Sequence, residues 1–106
     1  MAESIDLSGT FLPVTTPFDP VTGDVDVVAF RANLRACFEH PIRVILISGS
    51  TGESVFLDDE ERRVLVEAAA DVVPAEGLVI AGTGPESTRH TIRLTKEAAD
   101  AGADAV

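Results

Sequence analysis

Short apolar runs alternate with longer amphipathic stretches along the whole chain. The apolar runs cover residues 10–15, 42–48 and 78–82, and a further run begins at residues 103–106. The run at 42–48 is rich in β-branched residues, which is typical of a strand buried on both faces of a parallel sheet. We therefore predict three strands and the start of a fourth.

Between the apolar runs, hydrophobic residues recur at the spacing of an amphipathic helix. Asp26 can cap the start of the first helix, and Pro41 follows its end. The three predicted apolar faces are Phe30, Leu34, Cys37 and Phe38; then Val64, Leu65, Ala68, Ala69 and Val72; and last Ile92, Thr95 and Ala99.

Capping residues mark the ends of the second and third helices. Asp58 and Glu61 stand three residues apart, as in a capping box, and Ser87 is a candidate N-cap. Gly102 stands where a helix commonly ends with glycine. The acidic stretch at 58–61 is expected to be a solvated helix start that the helix dipole favours, and not a catalytic cluster.

The resulting order is βαβαβαβ, which predicts an α/β fold with parallel strands and right-handed crossovers. Two architectures fit this order: part of a (β/α)8 barrel, or a small doubly wound sheet. The hydrophobic pattern alone does not separate them.

The composition argues against several classes of protein. The chain has 106 residues, 45% hydrophobic and 25% charged, as in one soluble globular domain. Its net charge of -10 argues against binding to nucleic acid. No apolar run approaches the ~20 residues of a membrane span, and residues 1–7 lack the basic residues of a secretory signal. We expect a cytoplasmic protein that binds no membrane.

The chain has few residues that could bind a metal ion or act as a thiol. Cys37 is the one cysteine, and the two histidines are His40 and His90. No internal disulfide can form, and no paired spacing of metal ligands is present. We predict no metal site and expect Cys37 to fill the core.

Candidate binding residues lie in the three loops that follow the strands, where parallel α/β folds bind ligands. Loop 49–53 has two glycines around two hydroxyl residues, a composition that lets backbone N–H groups and hydroxyls converge on an anion. A carboxylate or a phosphate suits such a loop, although the lysine of a P-loop is missing. The alternative is a plain turn of small residues.

Several segments, taken together, resemble one enzyme family. Residues 49–53 (GSTGE), 15–18 (TTPF), 80–84 (IAGTG), 94–99 (LTKEAA) and 102–106 (GADAV) are similar to segments of the dihydrodipicolinate synthase and N-acetylneuraminate lyase family. The resemblance runs in order over residues 9–106. It implies a (β/α)8 TIM barrel, of which the chain would be the N-terminal portion, about three and a half βα units.

The family resemblance implies the chemistry of a class I aldolase or lyase. A lysine condenses with the keto group of pyruvate or another 2-oxo acid, and the resulting Schiff base acts as the electron sink. The hydroxyl loop would bind the pyruvate carboxylate through Ser50 and Thr51. Ser50 would also serve in catalysis as part of a proton relay. The resemblance implies no metal or organic cofactor, and a homo-oligomer when full length.

Several residues and strands that the family resemblance implies are not in the chain. A barrel of this kind needs about 250 residues, and the family's tyrosine and Schiff-base lysine follow strands four and six. Lys96 is the only lysine and falls in the third predicted helix, so we do not assign it that role. We expect residues 1–106 to be one barrel domain truncated in strand four and inactive alone. The alternative is a standalone or truncated non-enzymatic βα module that binds a small carboxylate.

Some residues depart from the biosynthetic synthases. Ser50 is closer to the sialic-acid lyases and hydroxy-oxoglutarate aldolases, and Pro13 replaces a small alanine-like residue. Glu86 and His90 stand where lysine-inhibited synthases carry Asn and Glu. These differences argue against a synthase and against feedback by lysine, and His90 is otherwise expected to be an ordinary helix residue.

Overall fold

The computed structural model describes residues 4–106, which form a parallel sheet covered by helices. The elements are, in chain order, β1 (Phe11–Pro13), α1 (Val27–Cys37), β2 (Val44–Ile47), α2 (Asp59–Val72), β3 (Leu78–Ala81) and α3 (Thr88–Ala101). The predicted order is confirmed. The strands are shorter than the apolar runs that predicted them, although Val14 and Gly82, just after β1 and β3, still donate hydrogen bonds to carbonyls of β2.

The strands are parallel and lie side by side in the order in which they occur in the chain. The register pairs Phe11 with Val44, and Ile45 with Val79. Ala105 then forms a parallel bridge beyond β3, where the fourth strand was predicted to begin. Right-handed crossovers that all advance in one direction place every helix on the same face. A doubly wound sheet reverses direction, so this order is that of a partial (β/α)8 barrel.

Each helix begins at the residue that the sequence predicts as its cap. Asp26 accepts a hydrogen bond from the N–H three residues on, at 3.0 Å. Asp58 and Glu61 form the reciprocal capping box at 2.9 and 2.7 Å, and Ser87 caps α3 at 3.0 Å. Gly102 ends α3 with φ of 115°, a conformation that other residues rarely adopt.

The core lies between the sheet and the helices. Ile45 and Ile47 of β2 are fully buried there, while the alternate residues Val44 and Leu46 face the opposite side of the sheet. Each fully buried side chain of this size stabilises the fold by about 1.5–3 kcal/mol. No helix within residues 4–106 combines the length and the apolar composition that a bilayer crossing requires.

The predicted apolar face of α3 is wrong. The structure buries Leu94 and Ala98, which are one helical turn apart, whereas Ile92 is 52% exposed and Ala99 is exposed. Of its neighbours, α3 packs most closely against α2. Contact with α2 therefore decides which side of α3 is buried, and Ile92 lies on the other side.

Candidate active site at the carboxyl edge of the sheet

The loops after β1 and β2 meet at the carboxyl edge of the sheet. Thr16, two residues after the buried Val14, donates a hydrogen bond from Oγ1 to the carbonyl of Gly52 at 2.7 Å. Thr16 is only 7% exposed, so this bond is shielded from water. It joins two loops that lie 36 residues apart in sequence.

Loop 48–53 after β2 has a strained and closed backbone. Ser48 and Glu53 adopt the left-handed conformation, with φ of 55° and 59°. The carbonyl of Ser50 accepts from the N–H of Glu53 at 3.0 Å, and the carbonyl of Gly49 accepts from Ser54 at 3.2 Å. A left-handed non-glycine residue costs on the order of 1–3 kcal/mol, so the surrounding contacts must hold it in place.

The predicted site residues Ser50 and Thr51 stand between these closing bonds, and both are exposed. Within residues 4–106, neither hydroxyl takes part in a hydrogen bond, and the backbone N–H groups of Ser50, Thr51 and Gly52 donate none. The loop therefore has two exposed residues with N–H and hydroxyl groups without partners, and a third such N–H at the buried Gly52, at the edge where such folds bind ligands. This set of donors suits an anion.

The third loop packs directly against the base of the second. Gly82 donates its N–H to the carbonyl of Ile47 at 2.8 Å. A Cβ on Gly82 would overlap the carbonyl oxygen of Ser48 and lie 2.8 Å from its carbonyl carbon. The Ser48 hydroxyl is buried and has no hydrogen-bond partner within the described residues. It borders a cavity of about 10 Å³, which is close to the space that one water molecule needs.

Arg62 of α2 bridges the second and third loops. One guanidinium nitrogen donates to the carbonyl of Gly82 at 3.1 Å, and another donates to the carbonyl of Ser54 at 2.6 Å. Neither Arg62 nor Thr16 was predicted as a site residue from the sequence. Thr16 lies inside the TTPF segment and could have been found, whereas Arg62 sits in a charged helix and carries no distinguishing signal.

An ion-pair cluster joins the amino-terminal ends of α2 and α3 behind these loops. Asp59 accepts from Arg93 at 2.8 Å, and His90 donates to it from Nε2 at 2.7 Å. The hydrogen bond from Arg93, followed by that from His90, holds the pKa of Asp59 below its ordinary value. His90 is therefore not an ordinary helix residue, and Asp59 is not merely part of a solvated helix start.

Lys96 lies away from the loops, as the sequence predicts. It is exposed in the second half of α3, which runs antiparallel to the strands and so approaches the opposite edge of the sheet. Within residues 4–106, no lysine stands at the carboxyl edge, and no three His, Cys, Asp or Glu side chains come together as metal ligands.

The profile of the Dihydrodipicolinate synthetase family matches residues 6–106. The chain belongs to the dihydrodipicolinate synthetase family. One relative is 4-hydroxy-tetrahydrodipicolinate synthase of Salinibacter ruber, which is 36% identical over 98% of this chain. Another is the probable mitochondrial 4-hydroxy-2-oxoglutarate aldolase of Emericella nidulans, 40% identical over 100% of the chain. The two matches cover 34% and 35% of those proteins, so the chain spans about a third of their length.

Solved structures of family members confirm the partial barrel. Dihydrodipicolinate synthase from Aquifex aeolicus superposes with a TM-score of 0.85 and 34% identity, over 92% of this chain and 32% of that one. A prophage protein of the family from E. coli K12, solved in complex with pyruvate, superposes with a TM-score of 0.84 and 33% identity. That match covers 92% of this chain and 33% of the E. coli protein.

Proposed function

We propose that the chain is the N-terminal third of a pyruvate-dependent Schiff-base lyase or aldolase, and that loop 49–53 binds the carboxylate of the 2-oxo acid. The observation that carries the proposal is the row of donors without partners at Ser50, Thr51 and Gly52. The family includes a protein solved with pyruvate, which supports a carboxylate over a phosphate as the anion.

The donors of the loop explain what this part of the enzyme contributes. In the reaction, a lysine amine attacks the keto carbon, water leaves, and the protonated imine accepts the electron pair of the carbon–carbon bond. The carboxylate keeps its charge throughout, so fixed N–H and hydroxyl groups orient the substrate without taking part in bond changes. A charge-assisted hydrogen bond of this kind contributes roughly 1.5–3 kcal/mol. Ser50 is proposed to pass a proton between the substrate and the rest of the enzyme.

Borohydride reduction in the presence of pyruvate tests the Schiff base. The full-length protein is expected to gain one reduced pyruvate adduct on a lysine that lies outside residues 1–106. The 106-residue chain alone is expected to gain none, because its only lysine, Lys96, lies on the outside of α3. Peptide mass mapping locates the adduct. An unmodified full-length protein, or an adduct on Lys96, contradicts the proposal.

The two hydroxyls are expected to differ in kinetics in the full-length protein. Thr51→Ala should raise the pyruvate concentration that gives half-maximal trapping, because a carboxylate donor is lost. Ser50→Ala should lower kcat more than it weakens binding, because a proton relay acts in the transition state. Thr10→Ala is the matched control, since Thr10 is exposed at the other end of β1. Unchanged kinetics in both loop variants would leave the loop a purely structural turn.

The alternative, a standalone βα module, makes a different prediction for the 106-residue chain. The edge of β1 is open, and an apolar groove of about 220 Å³ between β1 and α1 is lined by Leu12, Val14, Phe30 and Leu34, among others. We expect the isolated chain to self-associate or lack a sharp unfolding transition, because parallel sheets need cover on both faces. A monodisperse monomer with cooperative unfolding, measured by sedimentation and thermal melting, favours the module.

A further inference from the structure

We infer that Arg62 is a positioning residue that holds the carboxylate-binding loop in its binding geometry. The inference rests on the proposed function, because it takes loop 49–53 as the pyruvate site. Arg62 does not point a charge at the substrate in this proposal. It acts through the backbone of the two loops that its guanidinium joins.

Arg62 holds both ends of the loop with one side chain. At the far end, it donates to the carbonyl of Ser54, whose own N–H closes the loop on Gly49. At the near end, it donates to the carbonyl of Gly82, which packs against the strained peptide of Ser48. The unpaired N–H groups of residues 50–52 lie between these two contacts. The guanidinium therefore fixes the distance across which they are held.

The partners of Arg62 differ from those of the three helix arginines that form ion pairs within residues 4–106. Within residues 4–106, Arg62 forms no ion pair, although it is half-buried in a chain of net charge -10. Its hydrogen bonds go to backbone carbonyls instead. By contrast, Arg31 pairs with Asp71, Arg63 with Glu60 and Glu67, and Arg93 with Asp59 and Glu97. Ion pairing between helices or on the surface therefore does not explain where the Arg62 side chain lies, whereas its hydrogen bonds to the two loops do.

The geometry also explains why lysine cannot replace Arg62. The planar guanidinium presents its N–H groups as a rigid fork and reaches two carbonyls on different loops at once. An ammonium is a compact donor on a flexible stem, and it would satisfy Ser54 or Gly82 but would not fix the distance between them. Arg62→Lys therefore keeps the charge and the helix while it loosens the span.

The test is borohydride trapping by the full-length protein over a range of pyruvate concentrations, which requires no knowledge of the second substrate. Arg62→Lys and Arg62→Met are expected to raise the half-saturating pyruvate concentration about tenfold, a change equal to about 1.4 kcal/mol. Trapping at saturating pyruvate should remain within about twofold of the wild type, because the lysine and its protonation are untouched.

Arg63→Met is the matched control, because Arg63 is the next residue on α2 and, among residues 4–106, pairs only with Glu60 and Glu67 of the same helix. It should leave the half-saturating concentration unchanged. The inference is overturned if Arg62→Lys behaves like this control, or if its only effect is a lower urea midpoint, the mark of a purely structural role. A wild-type protein that traps no pyruvate contradicts the proposed function instead, so the two failures are distinguishable.

Discussion

The loops after β2 and β3 have similar surroundings but very different constraints. Both follow a buried strand at the same edge of the sheet, and both combine glycine with hydroxyl residues. Loop 48–53 is held by Thr16 and Arg62 and contains two strained residues. Loop 82–86 is fixed at Gly82, but a Cβ on Gly84 would meet no atom within 4 Å.

The two loops differ in their contacts with residues that are distant in sequence. The loop that carries Ser50 and Thr51 is held by Thr16 and Arg62, which lie on other segments of the chain. Donors that are already in place need no reordering when an anion binds, so more of their interaction energy appears as affinity. Backbone N–H groups of the third loop, at Thr83 and Gly84, also donate no hydrogen bond within residues 4–106, but that loop is not closed by backbone bonds between its own residues as loop 48–53 is.

The largest effect is expected from a methyl group added at the base of the third loop. Gly82→Ala should destabilise the full-length protein by about 3 kcal/mol, because the new Cβ meets the backbone of Ser48, which cannot move aside cheaply. Gly84→Ala should change stability by no more than about 0.5 kcal/mol, because the space there is empty. Urea unfolding measures both. Equal urea midpoints would mean that the two glycines do not differ in how closely other atoms pack around them.

The next effect concerns the bond between the first and second loops. Thr16→Val keeps the shape of the side chain and removes the donor to Gly52, which should cost about 1–3 kcal/mol because a buried carbonyl loses its partner. Thr15→Val is the control, since Thr15 is exposed one residue earlier. Urea midpoints of the two variants should differ clearly. If they coincide, the Thr16 bond does not hold loop 48–53.

A smaller effect, with the opposite sign, is expected at Ser48. Ser48→Gly removes the left-handed strain and a buried hydroxyl without a partner, so it should stabilise the fold by about 1 kcal/mol. Ser48→Ala removes the hydroxyl but keeps the strain, and its gain should be smaller. Thermal unfolding of both variants measures this order. A destabilised Ser48→Ala would instead indicate that the hydroxyl binds a water in the neighbouring cavity.

The smallest effect is the pH dependence of the Asp59 cluster. The pKa of Asp59 is lowered in the folded protein by Arg93 and His90. The stability that this carboxylate contributes is therefore present above its unfolded pKa of about 3.9 and is lost as the pH falls through the lower folded pKa. Because the side chain is 36% exposed, we expect less than about 1 kcal/mol.

Asp59→Asn tests the pH dependence against Asp100→Asn, a change of an exposed aspartate without an ion pair within residues 4–106. Urea midpoints should separate the Asp59 variant from the wild type at neutral pH, and the gap should close in acid. A gap of constant size from neutral to acid pH would contradict a role for the charge of Asp59.

Much of the architecture could be predicted from the residues because the signals are local. The capping box of Asp58 and Glu61, the cap of Ser87 and the glycine end at Gly102 act within a few residues of one another. The apolar runs predicted the parallel strands, and the position of loop 49–53 after β2 placed Ser50 and Thr51 at the carboxyl edge. The location of the proposed site follows from strand order alone.

What the local pattern could not predict depends on contacts between distant residues. The buried face of α3 is set by its contact with α2, and the pattern favoured Ile92 over Leu94. The Thr16 bond spans 36 residues and the Arg62 bridge spans 20 and 8. Such pairings leave no periodic trace, because they require the loops first to be brought together by the sheet. Sequence alone therefore determined the position of the loop that we propose to bind the carboxylate, and the tertiary structure decided what holds that loop in shape.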